Sequence, residues 1–296
     1  MKAHSEAAFE ELIEQHLLEH GGYVSREPGV FVAESALIPE DLLAFVERTQ
    51  PGVWDKQGRI HGDRLPEVFL AAFDKATQQD GVLHVLRHGF KFYGSRVRVA
   101  AFQPAHGLNP DVEELYRANR LAVARQVHYD PKRPGLSLDL VLFLNGIPLV
   151  TAELKNALTQ QTARHAKAQY VGDRDPGAPI FRFGERALVH FAVGADEVWM
   201  TTRLAGDKTR FLPFNRGNGT AAGNPAVEGK HRTFYLWEEV WQRDSLLDLF
   251  ARFLHVEKTE TTDERGRTST RETLIFPRYH QLDCVRRLIA ATRERG

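Results

Sequence analysis

Three side chains stand out by type and spacing: Asp139 in Ser137-Leu138-Asp139-Leu140, and Glu153 and Lys155 in Ala152-Glu153-Leu154-Lys155. Alternate residues of an extended strand share a face, so Glu153 and Lys155 point the same way. Carboxylates grouped like this can hold Mg²⁺ at an oxygen site with positions left for water and a phosphate oxygen. The metal lowers the pKa of bound water, and a neighbouring lysine orients the attacking water or neutralises the developing oxyanion. The chemistry this suggests is phosphodiester hydrolysis. The plainer reading of a Glu-x-Lys pair is a solvated ion pair worth less than about 1 kcal/mol. An apolar run precedes the pair, and a second acid lies at matching parity on the neighbouring run, which favours the metal site.

The elements that must position these groups form a hairpin over residues 136–156, with a turn at Asn145-Gly146. Leu138, Leu140, Leu142 and Leu144 are even-numbered, as are Val150, Ala152 and Leu154, whereas Ser137, Asp139, Thr151, Glu153 and Lys155 are odd. A two-residue turn pairs 144 with 147 and puts the two apolar sets on opposite faces. A single apolar face therefore requires an odd loop, Leu144-Asn145-Gly146, or a bulge. Either device gathers Asp139, Glu153 and Lys155 on one polar face.

The Asp139…Glu153-Leu154-Lys155 pattern resembles the PD-(D/E)xK nuclease signature. The surrounding sequence resembles the N-terminal endonuclease region of the R (HsdR) subunit of type I restriction enzymes. The stretches that carry this are Leu115-Tyr116-Arg117-Ala118-Asn119-Arg120, the hairpin with Thr151-Ala152-Glu153-Leu154-Lys155-Asn156, and Thr201-Thr202-Arg203-Leu204-Ala205-Gly206. They continue with Phe211-Leu212-Pro213-Phe214-Asn215-Arg216-Gly217, Tyr235-Leu236-Trp237-Glu238-Glu239-Val240-Trp241 and Phe276-Pro277-Arg278-Tyr279-His280-Gln281-Leu282-Asp283. The resemblance implies an α/β fold: a PD-(D/E)xK restriction-endonuclease-like core with a central mixed β-sheet flanked by helices, plus a helical N-terminal appendage. It implies Asp139 and Glu153 as metal ligands, with Glu114 as a further candidate, and Lys155 as the catalytic lysine. The cofactor it implies is Mg²⁺, with Mn²⁺ as a substitute. Arg117, Arg120, Gln169 and Tyr170 are the candidate DNA contacts. The sequence departs from the family pattern at Leu138, where the family name has proline, and at Ala166, where related nucleases carry the glutamine of Gln-x-x-x-Tyr. Tyr170 therefore has two readings, a DNA contact or a core aromatic. Glu114 is equally explained by the helix dipole.

At 296 residues the chain is long enough for one to two domains. We expect a mostly helical region over 1–108, the nuclease domain with its extension over 109–255, a linker over 256–273, and a lead-in segment over 274–296. The 39 basic and 39 acidic residues balance, so net charge does not advertise nucleic acid. Arg117, Arg120, Arg125, Lys132 and Arg133 crowd the approach to the hairpin and offer a local phosphate-binding surface. The single cysteine, Cys284, excludes an intramolecular disulfide framework and reads as a buried small residue. No signal core or membrane-length apolar run is present, and we expect a cytoplasmic protein with no membrane partner.

Along the chain, residues 5–20 read as an amphipathic helix with Phe9, Leu12, Ile13, His16 and Leu17 on one face. No chemical constellation is evident in the first third. Asn109-Pro110-Asp111 is a helix start, residues 122–129 a strand, 159–171 a helix, and 188–193 and 198–202 strands. Residues 215–230 form a long Gly- and Asn-rich loop, and Tyr235 to Phe253 an amphipathic helix. Gly206-Asp207-Lys208-Thr209 is a turn, since the first glycine of a P-loop is missing. Lys258 to Thr273 has no apolar residue and reads as a linker or exposed loop. Pro277-Arg278-Tyr279-His280-Gln281 resembles the Q-motif that precedes the ATP-binding loop of superfamily-2 helicases, where Gln281 would read adenine. In that setting ATP acts only through a motor domain missing from this chain.

The leading expectation is an Mg²⁺-dependent endonuclease domain that hydrolyses double-stranded DNA when its own ATP-driven helicase motor stalls, in complex with modification and specificity subunits. The alternative is a non-catalytic module that binds DNA or docks partners on a nuclease fold. A standalone repair nuclease is a third reading, which leaves the Q-motif-like tail unexplained.

Overall fold

The computed structural model describes residues 2–103, 110–156, 162–262 and 268–295. The chain opens with α1 (Lys2–Glu19), the short strand β1 (Tyr23–Ser25), and helices α2 (Pro39–Thr49), α3 (Pro51–His61), α4 (Leu65–Asp80) and α5 (Val82–His88). A small hairpin of β2 (Phe90–Phe92) and β3 (Ser95–Val97) follows, and then α6 (Pro110–Ala118). The centre is β4 (Leu121–His128), β5 (Ser137–Leu144), β6 (Ile147–Leu154), α7 (Ala163–Gly172), β7 (Val189–Val193), β8 (Val198–Thr201) and β9 (Leu212–Pro213). The C-terminal part holds α8 (Arg243–Asp248), the hairpin β10 (His255–Thr262) with β11 (Thr268–Ile275), and α9 (Tyr279–Arg295). Asn109, expected to cap α6, and residues 159–161 of the expected helix lie outside the described residues.

A seven-stranded mixed sheet, ordered β1-β4-β5-β6-β7-β8-β9, organises the molecule. β1 runs parallel to β4 and β6 parallel to β7, and the other neighbours are antiparallel. The β6–α7–β7 crossover joins the parallel pair, as such a pair requires. This is the α/β architecture with helices on a central mixed sheet that the sequence led us to expect.

The hairpin uses the bulge. Asn145 and Gly146 both have positive φ, +49° and +79°, and form a two-residue turn that pairs Leu144 with Ile147. The register then slips: Phe143 faces Pro148 but Leu142 faces Val150, so Leu149 is the extra residue. Odd-numbered Ile147 and Leu149 and even-numbered Val150, Ala152 and Leu154 all enter the same apolar cluster. Asn145 is fully buried and satisfied: its Oδ1 accepts from the Arg120 amide at 2.7 Å and its Nδ2 donates to Val99 O at 2.9 Å.

The odd-numbered face is not a solvated polar face. Val141 and Phe143 pack there with Tyr170 and Phe181 in a second core beneath α7, and Thr151 is buried with them. Both faces of the sheet are covered. Glu153 is therefore buried in a way that a half-exposed hairpin would not produce.

The first third is helical as expected, and it also adds β1 to the central sheet, with Phe9, Ile13 and Leu17 of α1 sharing the main core with β5 and β6. Three further expectations change. The described part of the expected linker is paired as β10 and β11 in register from His255–Ile275 to Thr262–Thr268. The lead-in segment joins the main core through Phe276, Tyr279 and Leu282, while Cys284 is exposed. The long helix from Tyr235 is broken into a π turn at Leu236–Val240, α8, and a second π turn at Leu249–Phe253.

Candidate active site

The β5–β6 ladder ends at the Leu140–Ala152 pair. Beyond it the Asp139 carboxylate takes over, its Oδ2 accepting from the Leu154 amide at 2.7 Å. Lys155 follows β6 directly; its amide donates to Val193 O at 2.9 Å, which fixes the backbone at the sheet's end. The Lys155 Nζ lies 3.9 Å from Asp139 Oδ2 and 3.7 Å from Glu6 Oε1. Lys155 and Asp139 are both buried. The hairpin thus brings this lysine and this aspartate together, as their spacing suggested.

Glu153 is fully buried and directed toward the α7 side, where Arg174 claims it. Arg174 donates from Nε to Glu153 Oε1 at 2.7 Å and from Nη2 to the Ser137 carbonyl at 2.8 Å, with the Tyr129 ring 5.3 Å beneath its guanidinium. Among the described residues, Glu153 Oε2 has no hydrogen-bond partner. Burial, reinforced by the charge of Asp139, holds the Glu153 carboxyl well above the usual carboxylate range, with Arg174 pulling the other way. Among the described residues, no three His, Cys, Asp or Glu side chains converge closely enough to hold a metal ion on their own.

The structure adds an acid that the sequence reading missed. Glu10 of α1 is 5% exposed, and Gln126 Nε2 donates to its Oε1 at 2.9 Å. Burial pushes its carboxyl up to about 7; the Gln126 hydrogen bond works against this, and the charges of Asp139 and Glu6 add to the rise. Glu6, Glu10, Arg125 and Gln126 line an open cavity of about 570 Å³. A signal was present in the sequence: Glu6, Glu10 and Glu14 recur every four residues along one line of α1, beside the buried row of Phe9, Ile13 and Leu17. Arg174 was also missed, and it carried no comparable signal, lying in a charged turn after α7.

Other expected site residues lie elsewhere. Leu121, just after α6, pairs with Leu144 at the turn end of the hairpin, whereas Asp139 is at the other end. The elements therefore carry exposed Glu114, along with Arg117 and Arg120, away from Asp139, so Glu114 does not join the cluster. Arg117 pairs with Glu113, and Arg120 with Asp41 at 2.8 Å. Near the site, Arg125 is paired with Glu14 at 2.7 Å. Tyr170 is fully buried, with its hydroxyl 2.7 Å from Thr151 Oγ1, so it is a core aromatic with no surface for DNA. Gln169 is half-buried on α7. Gln281 accepts from the Arg278 amide at 2.9 Å at the start of α9. The turn at Gly206 closes through Thr209 N–H to Gly206 O at 2.9 Å, consistent with a turn rather than a P-loop.

Chemically, the site offers a lysine among carboxylates, an acid able to hold a proton near neutrality, and a buried carboxylate with one unpartnered oxygen. A family model described as the type I restriction enzyme R protein N terminus matches residues 4–209, spanning β1, the hairpin and α7. No curated protein and no solved structure matches the chain.

Proposed function

Because this chain belongs to the family of type I restriction enzyme R protein N termini, and so carries the nuclease domain of such a subunit, we propose that it hydrolyses DNA phosphodiester bonds with Mg²⁺ at Asp139 and Glu153. The observation that carries this reading is the meeting of Lys155 with Asp139 at the open end of the β5–β6 ladder, beside a buried glutamate whose Oε2 has no partner among the described residues. A buried carboxylate oxygen without a donor costs free energy unless a proton or a cation satisfies it. Mg²⁺ is commonly held by one or two carboxylates, with water and phosphate oxygens completing its shell, so the donor set here fits. When bound, the metal supplies Lewis acidity and lowers the pKa of water.

The remaining work falls to the chain's own groups. Asp139, fixed by the Leu154 amide, presents its carboxylate at the sheet end. Lys155 stands between Asp139 and Glu6, where its Nζ can orient a water or offset charge on the phosphoryl oxygens. Glu10, with its carboxyl near 7, can accept or return a proton close to neutral pH. Cleavage coupled to an ATP-driven motor, and assembly with modification and specificity subunits, belong to the same proposal and rest on the family resemblance.

Calorimetric titration of Mn²⁺ with a short DNA duplex tests it. Binding to the parent that disappears in both Asp139→Ala and Glu153→Ala is expected. The Arg174 guanidinium on Glu153 is the one feature that favours the non-catalytic module, because it already occupies a ligand oxygen. Metal binding indifferent to both substitutions would transfer the case to that reading.

A further inference from the structure

A phosphodiester served by Lys155 must bring an oxygen up to its Nζ, and another anion already stands there. The Glu6 carboxylate, carried on α1, places Oε1 3.7 Å from that nitrogen, as close as Asp139 Oδ2 at 3.9 Å. The two acids are held differently. Asp139 is fixed by the Leu154 amide at 2.7 Å. Glu6 Oε1 is buried and, among the described residues, has no hydrogen-bond partner, so what draws it to the site is the lysine's charge.

The approach to the lysine is also acidic. The cavity beside it is lined by Glu6, Glu10, Glu14 and Glu27 against Arg26 and Arg125. Both arginines are already paired, Arg125 with Glu14 at 2.7 Å and Arg26 with Asp41 at 2.8 Å. A DNA phosphate entering here meets like charge, and the repulsion grows as water is excluded. Lys155 and Asp139 are themselves buried, so a strand reaches them once the covering residues have moved.

The covering segment is built to move without unfolding the rest. Helix α1 is bound to the main core from Phe9 onward, through Phe9, Ile13 and Leu17. Ahead of Phe9, Glu6 is half-buried and Ala7 and Ala8 are exposed. Opening these turns uncovers no large apolar side chain among the described ones. It breaks hydrogen bonds at a helix end, where fraying is least costly.

We propose that Glu6 is an autoinhibitory contact: its carboxylate occupies the place at Lys155 that a DNA phosphate oxygen takes in catalysis, and the turns of α1 ahead of Phe9 withdraw to admit the strand. The proposal rests on the reading of Lys155 as the phosphate-facing group. It concerns access to that group and adds no ligand to the metal.

Fluorescence anisotropy of a labelled DNA duplex, with the full chain in a chelator, tests it without metal or turnover. Glu6→Gln removes the charge and keeps the shape, and is expected to lower the Kd by about threefold or more. Glu11→Gln alters an exposed glutamate of the same helix and measures the effect of net charge alone; it is expected to change the Kd by less than about 1.5-fold. With Lys155→Ala in the background, the gain from Glu6→Gln is expected to vanish, because the two charges form one interaction. The melting temperature of Glu6→Gln is expected to stay within about 2 °C of the parent. A gain no larger than that of Glu11→Gln, one that persists without Lys155, or one that accompanies a large drop in melting temperature overturns the autoinhibitory contact and leaves the nuclease reading standing. If neither the parent nor Glu6→Gln binds the duplex, the DNA-directed reading itself fails, and the role of Glu6 with it.

Discussion

Glu153 and Arg174 show what a single residue decides here. The carboxylate is fully buried and meets a guanidinium at 2.7 Å on one oxygen only. Removing Arg174 leaves the buried Glu153 carboxyl without its donor, so Arg174→Ala is expected to cost roughly 1–3 kcal/mol in urea unfolding. Glu153→Gln in the same background should recover most of that loss, and a double variant no more stable than Arg174→Ala would refute the pairing. His190 gives a pH signature. It is fully buried beside Thr151, with Nδ1 2.8 Å from Oγ1, and burial lowers its pKa to about 3. Above pH 6.5 it is neutral whether folded or unfolded and has no pH-dependent effect. As pH falls from 6.5 towards 3 only the unfolded chain takes up the proton, so stability declines by up to about 1.4 kcal/mol per unit. His190→Gln should flatten that acid limb, and the stability difference between parent and variant should shift by about 2 kcal/mol between pH 7 and pH 5. An unchanged difference would mean that His190 titrates normally in the folded protein.

Among the elements, the β5–β6 hairpin sets the site, and Gly146 sets the hairpin. At φ +79°, a Cβ on Gly146 would stand 2.2 Å from the Ile38 carbonyl oxygen. That carbonyl belongs to the residue before α2, whose own amide donates to Gly146 O at 2.8 Å. Gly146→Ala is therefore expected to destabilise by about 3 kcal/mol through steric overlap and backbone strain together. A denaturant midpoint unchanged by the substitution would show that the turn is not locked against α2. Helix α1 is the second decisive element: Phe9, Ile13 and Leu17 bind it to the core, and its Glu6 and Glu10 reach Lys155 and Gln126.

Across the whole molecule, the sheet unites regions that the sequence reading divided. β1 lies at the sheet edge beside β4, Tyr23 of β1 donates its hydroxyl to Trp241 O at 2.7 Å, and Phe276 packs at 5.8 Å from both Phe191 and Phe214. One apolar cluster runs from Phe9 to Leu282. Thermal unfolding is accordingly expected to be a single transition seen alike by fluorescence and circular dichroism. A chain shortened to residues 109–296 should expose an unpaired β4 edge and aggregate. Two separate transitions, or a well-folded 109–296 fragment, would support a domain boundary near 108.

The identity of the candidate catalytic residues was written in the sequence, because type and spacing along a strand fix which side chains share a face. Asp139 and Lys155 could be named from that alone. So could the need for an odd loop or a bulge, since strand parity is arithmetic. The P-loop could be set aside for the same local reason. The second core was not legible: a strand covered on both faces and a strand half in solvent can share one pattern, and only α7 and the segment around Phe181 show which is present. Nor could the sequence say which helix delivers an acid. Both α1 and α6 carry glutamates, and chain order favoured α6 because it directly precedes β4. The parallel addition of β1 to β4 lays α1 across the Asp139 end, while α6 remains at the turn end. That choice depends on contacts between residues more than a hundred positions apart, such as Glu10 with Gln126, which no local pattern encodes.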